Sequence, residues 1–188
     1  FLRIDLTWVK QLLQFGYPFI FAGLAFWLFG SMDRWMLASM CSVEETGIYS
    51  VAFRFASVVL FVSTAFGQAW SPFAMKIRKD HPENYATIYG YVLLLLVFLM
   101  TVVGGSVGLF SGEVISLIMP PEYLSASLPL VILSFGIVLQ STLQITAVGI
   151  SLEKKTFIFA RLSWLTAAIN FGLNWVLIPM YGSFGAAI

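Results

Sequence analysis

The chain has 188 residues, of which 60% are hydrophobic, 16% aromatic and only 10% charged, and its formal net charge is +1. Soluble domains are roughly 45–50% apolar and about 25% charged, so this composition excludes a cytosolic enzyme, a disordered segment and, with one cysteine, a disulfide scaffold. The small net charge also excludes a strongly basic nucleic-acid-binding protein, which leaves an integral membrane protein.

Long uncharged stretches recur along the chain and predict an all-α integral membrane protein. A transmembrane helix needs about 20 apolar residues to cross roughly 30 Å of hydrocarbon, whereas a β-barrel would show short segments of alternating hydrophobicity. We expect a single transmembrane helical domain over 1–188, truncated at both ends because the chain lacks an initiator Met and stops inside an apolar run. The prediction is a bundle of five complete transmembrane helices plus the start of a sixth, at about 17–40, 47–72, 87–110, 126–151, 157–178 and from 184 onward.

Basic residues fall on alternate connections, which predicts the orientation of the chain. Seven of the ten Lys and Arg residues lie before the first span, in loop 76–83 or in loop 153–155, and the opposite loops carry only acidic charges. Cytoplasmic loops hold the excess of Lys and Arg in membrane proteins, so these two loops are predicted to be cytoplasmic. The longest connection on the other side, 111–125, is predicted to form a short amphipathic turn at the membrane interface.

Three of the predicted helices carry a polar face. On the second helix, polar residues follow a helical spacing that leaves only Tyr49 and Ser63 outside the stripe. The stripes consist of Ser50, Arg54, Ser57, Thr64, Gln68 and Ser71 on the second helix, Gln140 and Gln144 on the fourth, and Ser163, Thr166, Asn170 and Asn174 on the fifth. Such a stripe faces either another helix or an aqueous cavity. The hydroxyl groups fit both interpretations, whereas the five amides favour a cavity because amides are costlier to bury.

Three charges lie well inside the predicted spans: Asp33 and Arg34 late in the first, and Arg54 early in the second. Each arginine is eight residues from the turn at 42–46, so both lie about 12 Å from the membrane boundary at 1.5 Å per residue. Asp33 can pair with either arginine, and one positive charge remains in both cases. That surplus predicts a bound anion such as phosphate, or access for water. The alternatives are an ion pair that joins the two helices, or snorkelling toward the headgroups.

No pattern indicates catalysis, a metal site or a cofactor. Nucleotide-binding, serine-hydrolase and zinc-protease motifs are absent from the sequence, and His81 is a lone histidine in a basic loop. We therefore expect that the chain is not an enzyme and that it binds no metal or cofactor.

Several short segments match a known family in content and order. Phe15-Gly16-Tyr17-Pro18 opens the first span, Asp33-Arg34 follows near its end, and Gly47-Ile48-Tyr49-Ser50 begins a block that runs on to Arg54. This arrangement resembles that of polysaccharide flippases of the multidrug/oligosaccharidyl-lipid/polysaccharide superfamily, at the place where their second helical lobe begins. Tyr17 stands where those proteins usually have Leu, and the segment 179–187 looks like a later hairpin of the family.

The resemblance implies that the chain is a partial lobe of a two-lobed transporter in a bacterial or archaeal cytoplasmic membrane. It implies alternating-access export of an undecaprenyl-diphosphate-linked oligosaccharide, for O-antigen, capsule or a similar polymer. The implied partners are this lipid-linked substrate, membrane lipids and a coupling proton or sodium ion. Arg34 and Arg54 would neutralise the diphosphate, and the amides of Gln68, Gln140, Gln144, Asn170 and Asn174 would bind sugar hydroxyls. Asp33 belongs to the same substrate-binding set, and together with a nearby arginine it would also sense the coupling ion.

Three other classes of function stay open. A multidrug or cation antiporter of the same superfamily would need acidic residues in the membrane, and Asp33 is the one inside the predicted spans. An intramembrane enzyme of the same pathway would need a histidine or an acid dyad, and usually a large outer loop. A non-transporting membrane component would need none of these features.

Overall fold

The computed structural model describes residues 6–152 and 156–188, apart from the side chains of several residues before residue 27 and those of residues 151–156. Every regular element in these residues is helical, which confirms the predicted all-α class. The elements are α1 Leu6–Met40, α2 Val43–Asp80, α3 Tyr85–Leu109, α4 Ser111–Ile118, a 3₁₀ turn Pro121–Ala126, α5 Ser127–Ser141, α6 Leu143–Leu152 and α7 Thr156–Ala187.

Four helical stretches in the described part of the chain are long and apolar enough to cross a bilayer. They are α2, α3, the stretch Pro121–Ile150 and the stretch Phe157–Ala187. They cover the predicted second to fifth spans except for residues 110 and 151. The chain is therefore a multi-pass membrane protein. The predicted first span, 17–40, falls on the 35-residue α1, and the total of five complete spans plus a sixth stays a prediction.

The connections are short, and consecutive long helices run in alternating directions. At the turn from α1 to α2, the Ser42 hydroxyl accepts a hydrogen bond from the Glu45 backbone N–H (N to Oγ 3.2 Å) and caps the helix. The 38 residues of α2 correspond to ~57 Å at 1.5 Å per residue, well beyond the hydrocarbon thickness. The connection predicted as an amphipathic turn contains the short helix α4 and the 3₁₀ turn.

The predicted fourth span is divided into α5 and α6 by a one-residue interruption at Thr142, which itself keeps helical backbone angles (φ −59°, ψ −26°). The Thr142 N–H and hydroxyl both bond to the Leu139 carbonyl, at 3.2 and 2.8 Å, and the Ser141 hydroxyl bonds to Val138. Hydroxyls that bond to nearby carbonyls compete with the regular helical pattern. The Thr142 N–H bonds to the carbonyl three residues before it, and this local tightening separates α5 from α6 without a proline or a glycine at this point.

The helices pack around two apolar clusters. The larger cluster joins α2, α3 and the α5–α6 pair. The smaller cluster joins α1, the start of α2 and both arms of the α7 kink, and its buried members are Met36, Leu37, Tyr49, Ile178, Ala186 and Ala187. Since α1 packs mainly along α7, the second cluster brings the first and last described helices together.

Candidate functional site

A cavity of about 420 Å³ lies between α1, α5, α6 and α7, and the start of α2 borders it at one end. Most of its walls are apolar side chains. The polar side chains that line it are Asp33, Tyr49, Gln140, Ser163, Thr166 and Asn170. An apolar cavity with a few converging polar groups is the usual form of a small-molecule binding site, so this cavity is the candidate site.

Asp33 sits at the end of the cavity nearest the α1–α2 turn and is 8% exposed. The Tyr49 hydroxyl donates to its Oδ2 at 2.7 Å, and the Asn174 amide donates to its Oδ1 at 2.7 Å. The same amide nitrogen lies 3.3 Å from Asn170 Oδ1. Each carboxylate oxygen thus has a neutral donor, as buried polar groups require, and the carboxylate keeps its acceptor capacity toward the cavity.

This arrangement differs from the expected pairing of Asp33 with an arginine. Within the described residues Asp33 forms no ion pair, and the Arg34 guanidinium carbon instead lies 4.6 Å from the centre of the Phe53 ring. Arg34 Nε is buried without a hydrogen-bond partner in that part of the chain. Neighbouring residues on a helix point about 100° apart, so Arg34 faces a different surface from Asp33. Arg54 is exposed on α2.

The polar stripe of α2 faces away from the other described helices. Arg54, Thr64 and Gln68 are exposed, and the remaining members of the stripe are half-buried. The Thr64 hydroxyl donates to the carbonyl of Phe61 on the same helix (3.0 Å). The two exceptions, Tyr49 and Ser63, are 2% and 1% exposed, so the residues outside the stripe are the ones that make contacts within the bundle.

The predicted amides are divided among three environments. Gln140 and Asn170 line the cavity, and Asn174 lies behind Asn170, 2% exposed and bonded to Asp33. Gln144 joins α6 to α2, where its amide approaches the Ser63 hydroxyl at 3.4 Å. Gln68 lies on the exposed face of α2. We call Asp33, Gln140, Asn170 and Asn174 the cavity group, and we call Arg54 and Gln68 the outward group.

Tyr49 is the site residue that sequence reasoning missed. It was recognised only as an exception to the polar stripe, although Asp33 lies nine residues before Ser42 and Tyr49 seven residues after it. In a tight helical hairpin, residues at nearly equal distances from the turn lie at the same depth. The comparison of distances from the turn was made only for the arginines. Made for uncharged donors as well, it would have indicated Tyr49.

Comparisons with known proteins indicate a membrane protein of polysaccharide biosynthesis. A family model described as polysaccharide biosynthesis protein matches residues 1–128. The chain is 20% identical to the probable low-salt glycan biosynthesis flippase Agl15 of Haloferax volcanii, over 95% of this chain and 38% of that protein. It is 24% identical to the uncharacterized membrane protein MJ1068 of Methanocaldococcus jannaschii, over 96% of this chain and 36% of that protein. No solved structure matches the chain.

The chain thus spans little more than a third of the length of these curated relatives. The family model covers well over half of the 188 residues, including Asp33, Tyr49 and the whole polar stripe of α2. The resemblance to flippase-type membrane proteins is confirmed, and the chain belongs to the polysaccharide biosynthesis protein family.

Proposed function

We propose that the whole protein moves an undecaprenyl-diphosphate-linked oligosaccharide across the cytoplasmic membrane by alternating access, for surface polysaccharide biosynthesis. The observation that carries this proposal is the polar face of α2, which bears an exposed arginine at membrane depth in a chain of this family. A polar face inside a bilayer needs a partner helix or an aqueous path, and the described helices do not cover it.

The outward group suits the two polar parts of such a substrate. Arg54 presents a planar guanidinium, which can grip two phosphate oxygens at once. Arg34 adds a second cation whose Nε is unpaired within the described residues. Gln68 and the hydroxyls along the same face offer donors and acceptors for sugar hydroxyls. The lipid tail would stay in the bilayer while the polar head follows this face.

The cavity group suits the coupling ion, a proton or a sodium ion. Asp33 is a buried carboxylate with two neutral donors and without an ion pair in the described part of the chain. A buried charge is costly unless it is paired, so such a group tends to take up a proton or a cation. The side-chain oxygen of Asn170 lies 3.3 Å from the same Asn174 amide nitrogen that donates to Asp33. The ion and the lipid diphosphate would then bind on different faces of the bundle.

The orientation follows the charge distribution of the loops. The last turn of α2 carries Arg78 and Lys79, and we assign loop 76–83 to the cytoplasm by the positive-inside rule. Loop 153–155, assigned to the same side, lies outside the described residues. The end of the bundle at the α1–α2 turn would then face the cell exterior.

Export by variants of the full-length protein tests the proposal. We expect Arg54→Ala to reduce polymer export at least about tenfold, because one charge-assisted contact contributes about 1.5–3 kcal/mol, and Arg54→Lys to retain part of it. The matched control is Arg161→Ala, since Arg161 is exposed and lies over the Phe157 ring (4.4 Å). Asp33→Asn should remove the dependence of export on the ion gradient. Normal export by Arg54→Ala, with the protein inserted at normal levels, would overturn the role of the α2 face.

One observation favours a second candidate, a multidrug or cation antiporter. The cavity combines apolar walls with a single carboxylate, which also suits an organic cation. Purified protein in vesicles separates the two: uptake of a lipid-diphosphate sugar supports the flippase, and exchange of an organic cation supports the antiporter. Failure of both transport assays would favour a non-transporting component or an intramembrane enzyme of the same pathway.

A further inference from the structure

The α1–α2 end of the bundle is closed by residues 182–188, which we call the Gly182 turn. Gly182 interrupts α7 with φ 57° and ψ −133°, a left-handed conformation that glycine adopts without steric cost. After it the chain folds back on itself. Gly185 lies so close to the preceding turn that a Cβ there would overlap the Leu177 carbonyl.

The closure has three layers between the end of the bundle and the cavity. Outermost, the Ser183 N–H donates to the Glu45 carboxylate (N to Oε2 2.7 Å), and the Cys41 thiol approaches the Ile178 carbonyl at 3.4 Å. The middle layer is the second apolar cluster, in which Met36, Leu37, Ile178, Ala186 and Ala187 are at most 9% exposed. Innermost lies the hydrogen-bonded group of Tyr49, Asp33 and Asn174.

The Gly182 turn belongs to two of these layers and also to the cavity wall. Ser183 forms the outer contact, and Ala186 and Ala187 fill the apolar layer and line the cavity together with Ile188. Because alanine side chains are small, Ala186 and Ala187 do not interdigitate with the side chains around them. The polar attachment of the turn to α2 is the Glu45 carboxylate, which lies 2.7 Å from the position that a Cβ on Gly182 would occupy.

We propose that the Gly182 turn is a gate at the α1–α2 end of the cavity and that Glu45 is the latch that holds it closed. Release of the Ser183 N–H lets the turn swing about Gly182, which takes Ala186 and Ala187 out of the apolar layer and exposes the Asp33 group from that end. Because Glu45 stands in the first turn of α2, movement of α2 reaches the gate directly. The gate closes the cavity whatever the transported substrate is.

The test measures access to the cavity in the full-length protein, in a Cys41→Ser background. A reporter cysteine at Ala147→Cys lies on the cavity wall, and a membrane-impermeant maleimide is applied at the α1–α2 end. We expect Glu45→Ala to raise the labelling rate about tenfold, because a hydrogen bond to a charged group is worth at least the ~1.4 kcal/mol that corresponds to this factor. Glu45→Gln keeps an acceptor oxygen but loses the charge, so it should label at a rate between those of the parent and Glu45→Ala.

Glu44→Ala is the matched control, since Glu44 stands in the same helical turn and is exposed. Equal labelling rates for Glu44→Ala and Glu45→Ala would overturn the latch. A second reporter, Ala52→Cys, replaces a residue that is 0% exposed in the larger cluster. If it becomes labelled as fast as the cavity reporter, Glu45→Ala has loosened the whole bundle and the gate is refuted. Since labelling reports access and not export, a failure of the proposed function leaves this result interpretable.

Discussion

Removal of one hydroxyl tests the arrangement around Asp33. In Tyr49→Phe the ring stays, and Asp33 loses the donor 2.7 Å from Oδ2 while it keeps the Asn174 amide at Oδ1. Tyr49 is 2% exposed, so water cannot readily replace the hydroxyl. Hydrogen bonds to charged groups contribute about 1.5–3 kcal/mol. We expect the free energy of unfolding to fall by about 2 kcal/mol, a change of ~30-fold in the unfolding equilibrium constant.

A double-mutant cycle in the full-length protein separates this bond from the packing of the ring. Unfolding by detergent titration is measured for Tyr49→Phe, Asp33→Asn and the combination of both. With an uncharged acceptor at position 33, the cost of Tyr49→Phe should fall to about 1 kcal/mol. Tyr91→Phe is the control, because Tyr91 is 70% exposed, and it should change stability by less than about 0.5 kcal/mol. An equal cost of Tyr49→Phe in both backgrounds would refute the reasoning.

Two further substitutions test the local backbone. Gly182→Ala should destabilise the fold by about 1–2 kcal/mol, because an L-residue at φ 57° is strained and its Cβ would press on Glu45. Gly172→Ala is the control, since its Cβ would meet open space. Equal melting temperatures for the two variants would contradict the expectation. Ser42→Ala should cost about 1 kcal/mol through loss of the α2 cap, and Ser42→Asp should keep the cap. Thermal unfolding of Ser39→Ala, whose hydroxyl bonds only to the Met36 carbonyl among the described residues, provides the comparison.

The long helices were predictable because hydropathy alone decides whether a segment can lie in a bilayer. The second to fifth predicted spans lie on α2, α3, the α5–α6 pair and α7, apart from single residues at or between the helix ends. The interruption at Thr142 was not predicted, because hydropathy averages over about 20 residues and does not register a change in one backbone hydrogen bond.

The partners of Asp33 were harder to predict than its depth. Matching distances from the turn placed Asp33 and the arginines at the same level, but depth does not give direction around the helix axis. The Tyr49 and Asn174 donors occupy the carboxylate, and Arg34 is turned toward Phe53. The Asn174 contact spans 141 residues, and no local spacing in the sequence contains that information.

That separation along the chain has a consequence for biogenesis. The N-terminal helices enter the membrane first during synthesis, so Asp33 reaches the bilayer long before Asn174 has been made. An ionised carboxylate alone in lipid is expensive. Tyr49, only 16 residues away, is the partner that the emerging α1–α2 hairpin carries with it. Asn174 and the Ser183 contact to Glu45 come later, with α7. Tyr49 would therefore stabilise the Asp33 carboxylate until α7 adds the second donor.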